Sequence, residues 1–239
     1  MLATDRGRDA TASLVWRFTR FGVSEKLRAI RGRVGLLRLR DATDPVCRAP
    51  DSKLAKAAFA LAAGLSSPVL LNHAVRTFHF GSMLAARDGL RLDRELLYVA
   101  SVLHDLGLTP SYEAEPGSFE WVGAKHARAF GIEQGMDPRR ADLLHDAIAL
   151  HSSVGIASAR EPEIAMVHYG ASVDLFGIRL DEIPPIDLQQ LLDEWPRCGF
   201  KAEFPPLLER QAELKPDSHI AGAMGLGLAG RVHAAAFAE

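Results

Sequence analysis

An all-helical fold is predicted by three features of the chain. Apolar residues recur three and four positions apart in nearly every segment, strict alternation is rare, and helix start and stop signals punctuate the sequence throughout. The 239 residues are 48% hydrophobic and 24% charged, a composition that supports one large buried core with appendages and argues against disorder on a large scale.

Each helix has its own signal. "SSPVLLNHAVRTFHFGSMLAARDG" opens with Ser67 as an N-cap and Pro68 at the first helical position, and closes on Gly89. A second helix spans about 93–105, starting after Asp93 and stopping at Gly107, which suits the position just past a helix end. "SFEWVGAKHARAFGIEQG" gives a third, capped by Ser118 and interrupted at Gly131. "DPRRADLLHDAIALHSS" has Asp137 as N-cap and Pro138 behind it, and runs to about His151; "EPEIAMVHYGASVDLFG" ends near Gly177. Between 178 and 217 the prolines Pro184, Pro185, Pro196, Pro205, Pro206 and Pro216 are expected to cut the chain into short helices and loops. The Ala- and Gly-rich tail "HIAGAMGLGLAGRVHAAAF" reads either as a closely packed last helix or as a loosely ordered end, because each interior Gly costs about 1 kcal/mol relative to Ala. No internal repeat is present. The segment 41–52, with Pro45 and Pro50, divides a basic N-terminal part from the helical body.

Charge and cysteine usage exclude several classes. A formal net charge of -2 gives no general attraction for nucleic acid or acidic lipid. Residues 1–40 hold ten Arg or Lys against three acids, which reads first as a basic arm paired with acids or solvated, and second as an anion-binding arm. Cys47 and Cys198 are isolated, with no thiolate zinc spacing and no disulfide framework. No apolar run approaches the roughly 18 residues of a spanning helix. The expectation is a soluble cytoplasmic protein that acts on a small molecule, with no membrane or nucleic-acid partner; a homo-oligomer is compatible with it.

Polar residues on apolar faces carry the functional signal. At about 100° per residue, Val69, His73, Thr77, Phe80 and Leu84 share a stripe, with Asn72, Arg76 and His79 beside it. On the fifth helix Ile164, Val167, Ala171 and Leu175 define the buried face and Asp174 sits at its edge, where an ionised carboxylate costs several kcal/mol unless something cationic meets it. His104 and Asp105 stand in the last turn of the most apolar helix, at the negative pole of its dipole. A lone histidine on an apolar face is commonly a satisfied core residue. Two imidazoles and two carboxylates, His73, His104, Asp105 and Asp174, instead suit one divalent ion such as zinc, iron or manganese.

In that order, His, then His-Asp, then Asp, the chain resembles the HD superfamily of metal-dependent hydrolases, through "NHAVRTFHFG", "VLHDLGL" and "ASVDLFG". The resemblance covers about 55–178 and implies an HD-type helical bundle. It divides the chain into a basic helical appendage (1–54), the HD core (55–178) and a C-terminal helical extension packing on it (179–239). It also implies His73, His104, Asp105 and Asp174 as metal ligands. Two-metal members carry two further histidines; His151 matches the second, but Glu120 stands at the first, which favours one metal. Leu108 replaces the lysine that follows the motif in many cyclic-dinucleotide phosphodiesterases, which argues against phosphodiester cleavage. In motif detail the chain looks most like the cyanamide hydratase branch.

The resemblance therefore implies attack by a metal-activated water on a small molecule, with hydration of cyanamide or a nitrile as the leading reading. His151 and Glu120 are the candidates for proton transfer or substrate contact, their bland alternatives being a helix-end histidine and a solvated first-turn acid. Asn72 and Arg76 are candidates for hydrogen bonds to the substrate or to the ligands. His79, His126, His145 and His168 read as surface or packing residues. The alternatives are a nucleotide phosphomonoester hydrolase and a non-catalytic metal-binding regulatory domain. A small apolar pocket above the metal suits a small neutral substrate, and a wide basic one suits phosphate.

Overall fold

The computed structural model describes residues 16, 19–20, 22–23, 26–28, 30 and 48–237; most of the basic arm, and Cys47, lie outside the described residues. Among the described residues the structure is all-α, with no strand. Ten helices follow in order from residue 53: α1 (Lys53–Leu65), α2 (Pro68–Asp88), α3 (Arg94–Leu103), α4 (Phe119–Glu133), α5 (Pro138–Leu150), α6 (Pro162–Phe176), α7 (Pro185–Glu194), α8 (Phe200–Leu214), α9 (His219–Gly225) and α10 (Leu228–His233). Short 3-10 turns occupy Leu106–Leu108, Ala157–Ala159 and Leu180–Glu182. No described helix is long and apolar enough to cross a membrane.

Side-chain caps fix the helix starts. Ser52, Ser67, Asp93, Ser118 and Asp137 each accept a backbone N–H of the first turn, satisfying donors that the helix cannot. Gly89 and Gly177, at φ 67° and 69°, end α2 and α6 in the left-handed region, where a glycine has no steric cost.

The centre of the bundle is α2 lying along α6. A Cβ on Gly170 would fall 2.1 Å from the Thr77 carbonyl oxygen, and one on Gly81 2.6 Å from that of Met166, so two glycines let the helices touch backbone to backbone. That contact brings His73 on α2 to Asp174 on α6. α3 packs against both, and α4 and α5 pair beside it. Leucines such as Leu84, Leu97 and Leu103 are fully buried here, each stabilising the fold by about 1.5–3 kcal/mol relative to exposure. A second apolar cluster, containing Leu108, Phe119, Ala171, Leu175, Phe204, Leu208 and Ile220, joins one end of the bundle to the C-terminal helices.

Three local expectations change. Gly131 does not interrupt α4, which runs through it to Glu133. α3 ends at Leu103, two residues before the predicted limit, and Gly107 falls inside the 3-10 turn without a positive φ. Its Cβ would lie 2.1 Å from the carbonyl oxygen of Phe119, so the glycine is needed for the close approach of the start of α4. Pro205 and Pro206 do not break the chain but lie inside the 15-residue α8. The proline N–H groups are lost, yet Phe200, Phe204 and Leu208, four residues apart, keep one face of this helix buried.

Candidate metal centre

Three elements present the polar cluster. His73 comes from the second turn of α2, His104 caps the C-terminus of α3, and Asp105 is the residue before the 3-10 turn. One ligand atom from each of His73, His104 and Asp105 lies within 4.8 Å of the others, and all three side chains are buried. His104 Nε2 is 3.2 Å and His73 Nε2 3.6 Å from Asp105 Oδ2. Among the described residues none of His73 Nε2, His104 Nε2 and Asp105 Oδ2 has a hydrogen-bond partner. Buried polar atoms are rarely left so, and three converging ones, two imidazole nitrogens and a carboxylate oxygen, fit a divalent cation by chemistry and by position.

The other ring nitrogens are committed. His104 Nδ1 donates to the Ser101 carbonyl and His151 Nδ1 to that of Ile148, both at 2.7 Å, so each ring turns Nε2 toward Asp105. His73 Nδ1 donates to Asp174 Oδ2 at 2.7 Å, which fixes its tautomer and leaves the Nε2 lone pair facing the cluster.

The Asp174 carboxylate is engaged at both oxygens. Arg76 grips it through Nε to Oδ1 at 2.9 Å and Nη2 to Oδ2 at 2.8 Å, and Arg197 Nη1 donates to Oδ1 at 2.6 Å. The cationic partner that burial demands is thus a pair of guanidiniums. The Asp174 pKa lies well below the carboxylate range, because Arg76 and His73 outweigh the burial that would raise it. Asp105 is likewise held low against burial, by His104, His73 and His151. Burial pushes His73 down, and burial together with His104 pushes His151 down to about 3. For His104 burial is overcome by Asp105, and its pKa is raised.

A cavity of about 70 Å³ opens on the cluster. His73, His104, Asp105, His151, His168 and His219 are among its polar lining residues, and Phe119, Leu175, Phe204, Leu208 and Ile220 are among its apolar ones. Among the described residues no Arg or Lys lines it.

The expected site residues therefore fall into four positions. His73, His104, Asp105 and His151 face the cavity, while Asp174 and Arg76 stand behind His73. Glu120 is 3% exposed and accepts from Ser152 Oγ, whose residue lines the cavity, so it touches the site at one remove. Asn72 points elsewhere, donating to the Pro196 carbonyl at 2.9 Å. His168, read from sequence as surface or packing, is buried at the cavity and donates through Nδ1 to the His151 carbonyl at 2.7 Å. Its signal was present: it stands four residues after Ile164 and three before Ala171, on the face that α6 buries. Arg197 and the wall residues Phe204, Leu208 and Ile220 come from the proline-rich and Gly-rich parts of the chain, where no motif marks them.

A family model described as HD domain matches residues 70–194, just over half the chain. The chain belongs to the HD domain family. Its HD dipeptide is His104-Asp105, at the centre of the cluster. Cyanamide hydratases DDI2 and DDI3 of Saccharomyces cerevisiae are each 26% identical to it over 175 residues, covering 71% of this chain and 77% of theirs. Ribonuclease Y of Acidothermus cellulolyticus is 34% identical over 85 residues, which cover 36% of this HD protein and 15% of that one.

Proposed function

We propose that this HD protein is a metal-dependent hydratase that adds water to a small neutral nitrile-type substrate, cyanamide being the type case. The observation that carries the reading is the cavity: about 70 Å³, apolar on most of its wall, with His73, His104 and Asp105 among its lining residues. Such a volume admits a few water-sized groups, whereas pockets for drug-sized ligands run to about 300–1,000 Å³. A nucleotide monophosphate needs both more room and cationic partners, and the described lining offers neither. The similarity to two cyanamide hydratases over most of both chains supports the same substrate class.

His73, His104 and Asp105 hold the ion in this proposal, and Asp174 orients His73 through Nδ1. A divalent ion there supplies Lewis acidity that lowers the pKa of a water toward neutrality. His151 is the general base. Its Nδ1–H is spent on the Ile148 carbonyl, so Nε2, turned toward Asp105, carries the lone pair that accepts a proton. It takes the proton of the attacking water as the oxygen–carbon bond forms and one carbon–nitrogen π bond breaks, and it returns the proton to the nitrogen. His168, through the His151 carbonyl, steadies the turn that carries this base. Ser172 offers a hydroxyl on the wall to the polar end of the substrate, while that of Ser152 donates to Glu120.

The test is turnover. Cyanamide and short aliphatic nitriles are assayed beside a panel of nucleoside 5′-monophosphates, with metal-loaded protein throughout. Hydration of the first group with no phosphate release from the second is expected. Phosphate release without hydration contradicts the proposal, and no turnover of either moves the assignment to a metal-binding regulatory domain.

A further inference from the structure

The HD match ends at residue 194, but the cavity does not end with it. Three helices beyond that point, α8, α9 and α10, supply Phe204, Leu208, Ile220, Ala223 and Leu228 to its wall. The rings of Phe200 and Phe204 stack at 4.6 Å, and each lies about 5 Å from the His73 ring, at 5.0 and 5.1 Å. α8 is pinned at both ends. Lys201 Nζ donates to the Phe237 carbonyl at 2.7 Å, and near the other end Arg210 pairs with Glu113 at 2.6 Å while Gln211 Nε2 donates to the Glu113 carbonyl at 3.2 Å. Leu208 and Ile220 are buried, so their side chains occupy volume that would otherwise extend the cavity.

We infer that this C-terminal module is the size filter of the site, with Leu208 and Ile220 as its specificity-determining residues. The floor, with its ligands and base, comes from the HD helices, and the room left for the substituent on the reacting carbon is set by α8 and α9. The substrate class is then a neutral nitrile bearing an amino or very short alkyl group. The inference rests on the proposal that this cavity holds the substrate.

The test compares wild type with Leu208→Ala, Ile220→Ala and, as a truncation elsewhere in the core, Leu97→Ala, all metal-loaded and checked for metal content. The first readout is kcat/KM for butyronitrile over cyanamide. One methylene in a hydrophobic pocket is worth about 10–200-fold, so the two wall variants should raise this ratio by roughly tenfold or more. The second readout is binding of benzohydroxamate over acetohydroxamate to the cobalt-loaded protein, followed by its visible spectrum. This needs no turnover, so it separates failure of the filter from failure of the hydratase reading. The same direction of change is expected, with Leu97→Ala leaving both ratios as in wild type. Should Leu208→Ala or Ile220→Ala fail to fold, Leu208→Val and Ile220→Val replace them with a smaller shift in the same sense. Unchanged ratios in folded wall variants, an equal shift in Leu97→Ala, or no cobalt spectrum at all overturns the inference.

Discussion

Asp174 illustrates what a buried carboxylate demands of its neighbours. Two arginines and a histidine surround it, and it in turn decides which nitrogen of His73 faces the cluster. Removing one partner of a buried ion pair leaves the other uncompensated, at about 3–5 kcal/mol. Arg76→Ala is therefore expected to lower the unfolding free energy by about that amount, read from denaturant titration, and to cost more than Arg197→Ala because Arg76 grips both oxygens. Equal and small losses would mean that the network is relaxed in solution. At this scale the sequence was readable where a polar group interrupts an apolar helical face, as at His73, His104 and Asp105. It was unreadable where the partner arrives from a distant loop, as Arg197 does, because nothing local requires a cation there.

The helices position these groups through close contacts and caps. Gly170→Ala places a Cβ against the Thr77 carbonyl and should part α2 from α6, at about 1–3 kcal/mol by the usual cost of overpacking. A melting temperature unchanged from wild type would show that the crossing has slack. Asp93 starts α3, the helix that ends in the HD dipeptide. It caps Leu96 N–H and accepts from Arg140 Nε at 2.6 Å, and these bonds hold its pKa below the ordinary value against partial burial. A depressed pKa means stability that is fully present above about pH 4 and lost as pH falls through the lowered value. Asp93→Ala is expected to cost about 0.5–2 kcal/mol at neutral pH and to remove that acid-sensitive component. Asp93→Asn retains a good cap and loses only the ion pair, about 0–1 kcal/mol at this half-exposed site. Chemical unfolding of both variants at pH 7 and pH 3.5 distinguishes the two effects; Asn as costly as Ala would assign the whole contribution to the ion pair. Helix starts were legible because caps are local chemistry. The role of Gly107 was not, since a steric need for Phe119 is a tertiary contact.

For the molecule as a whole, an HD frame supplies the metal-ligand types and a C-terminal module closes the space above them. The frame was legible in the periodicity and in the ordered motifs. The module was legible only as composition, because Pro205 and Pro206 read as breaks and the Gly-rich tail as either order or its absence. In the structure that tail forms two short helices, and a Cβ on Gly230 would meet nothing within 4 Å among the described residues. Gly230→Ala should therefore stabilise α10 by up to about 1 kcal/mol and slow hydrogen exchange across it. Faster exchange would contradict the helical assignment. At the other end, Arg28, one of the described residues of the basic arm, pairs with Asp88 and Glu182, acids of the body.

The central claim is that His104 and Asp105, with His73, hold a divalent ion. Metal analysis of purified protein by mass spectrometry, for wild type, His104→Ala and Asp105→Ala, tests it most directly. About one equivalent of a transition metal in wild type and its loss in both variants, with helical content retained, is the predicted result. Undiminished metal in the two folded variants would contradict the account.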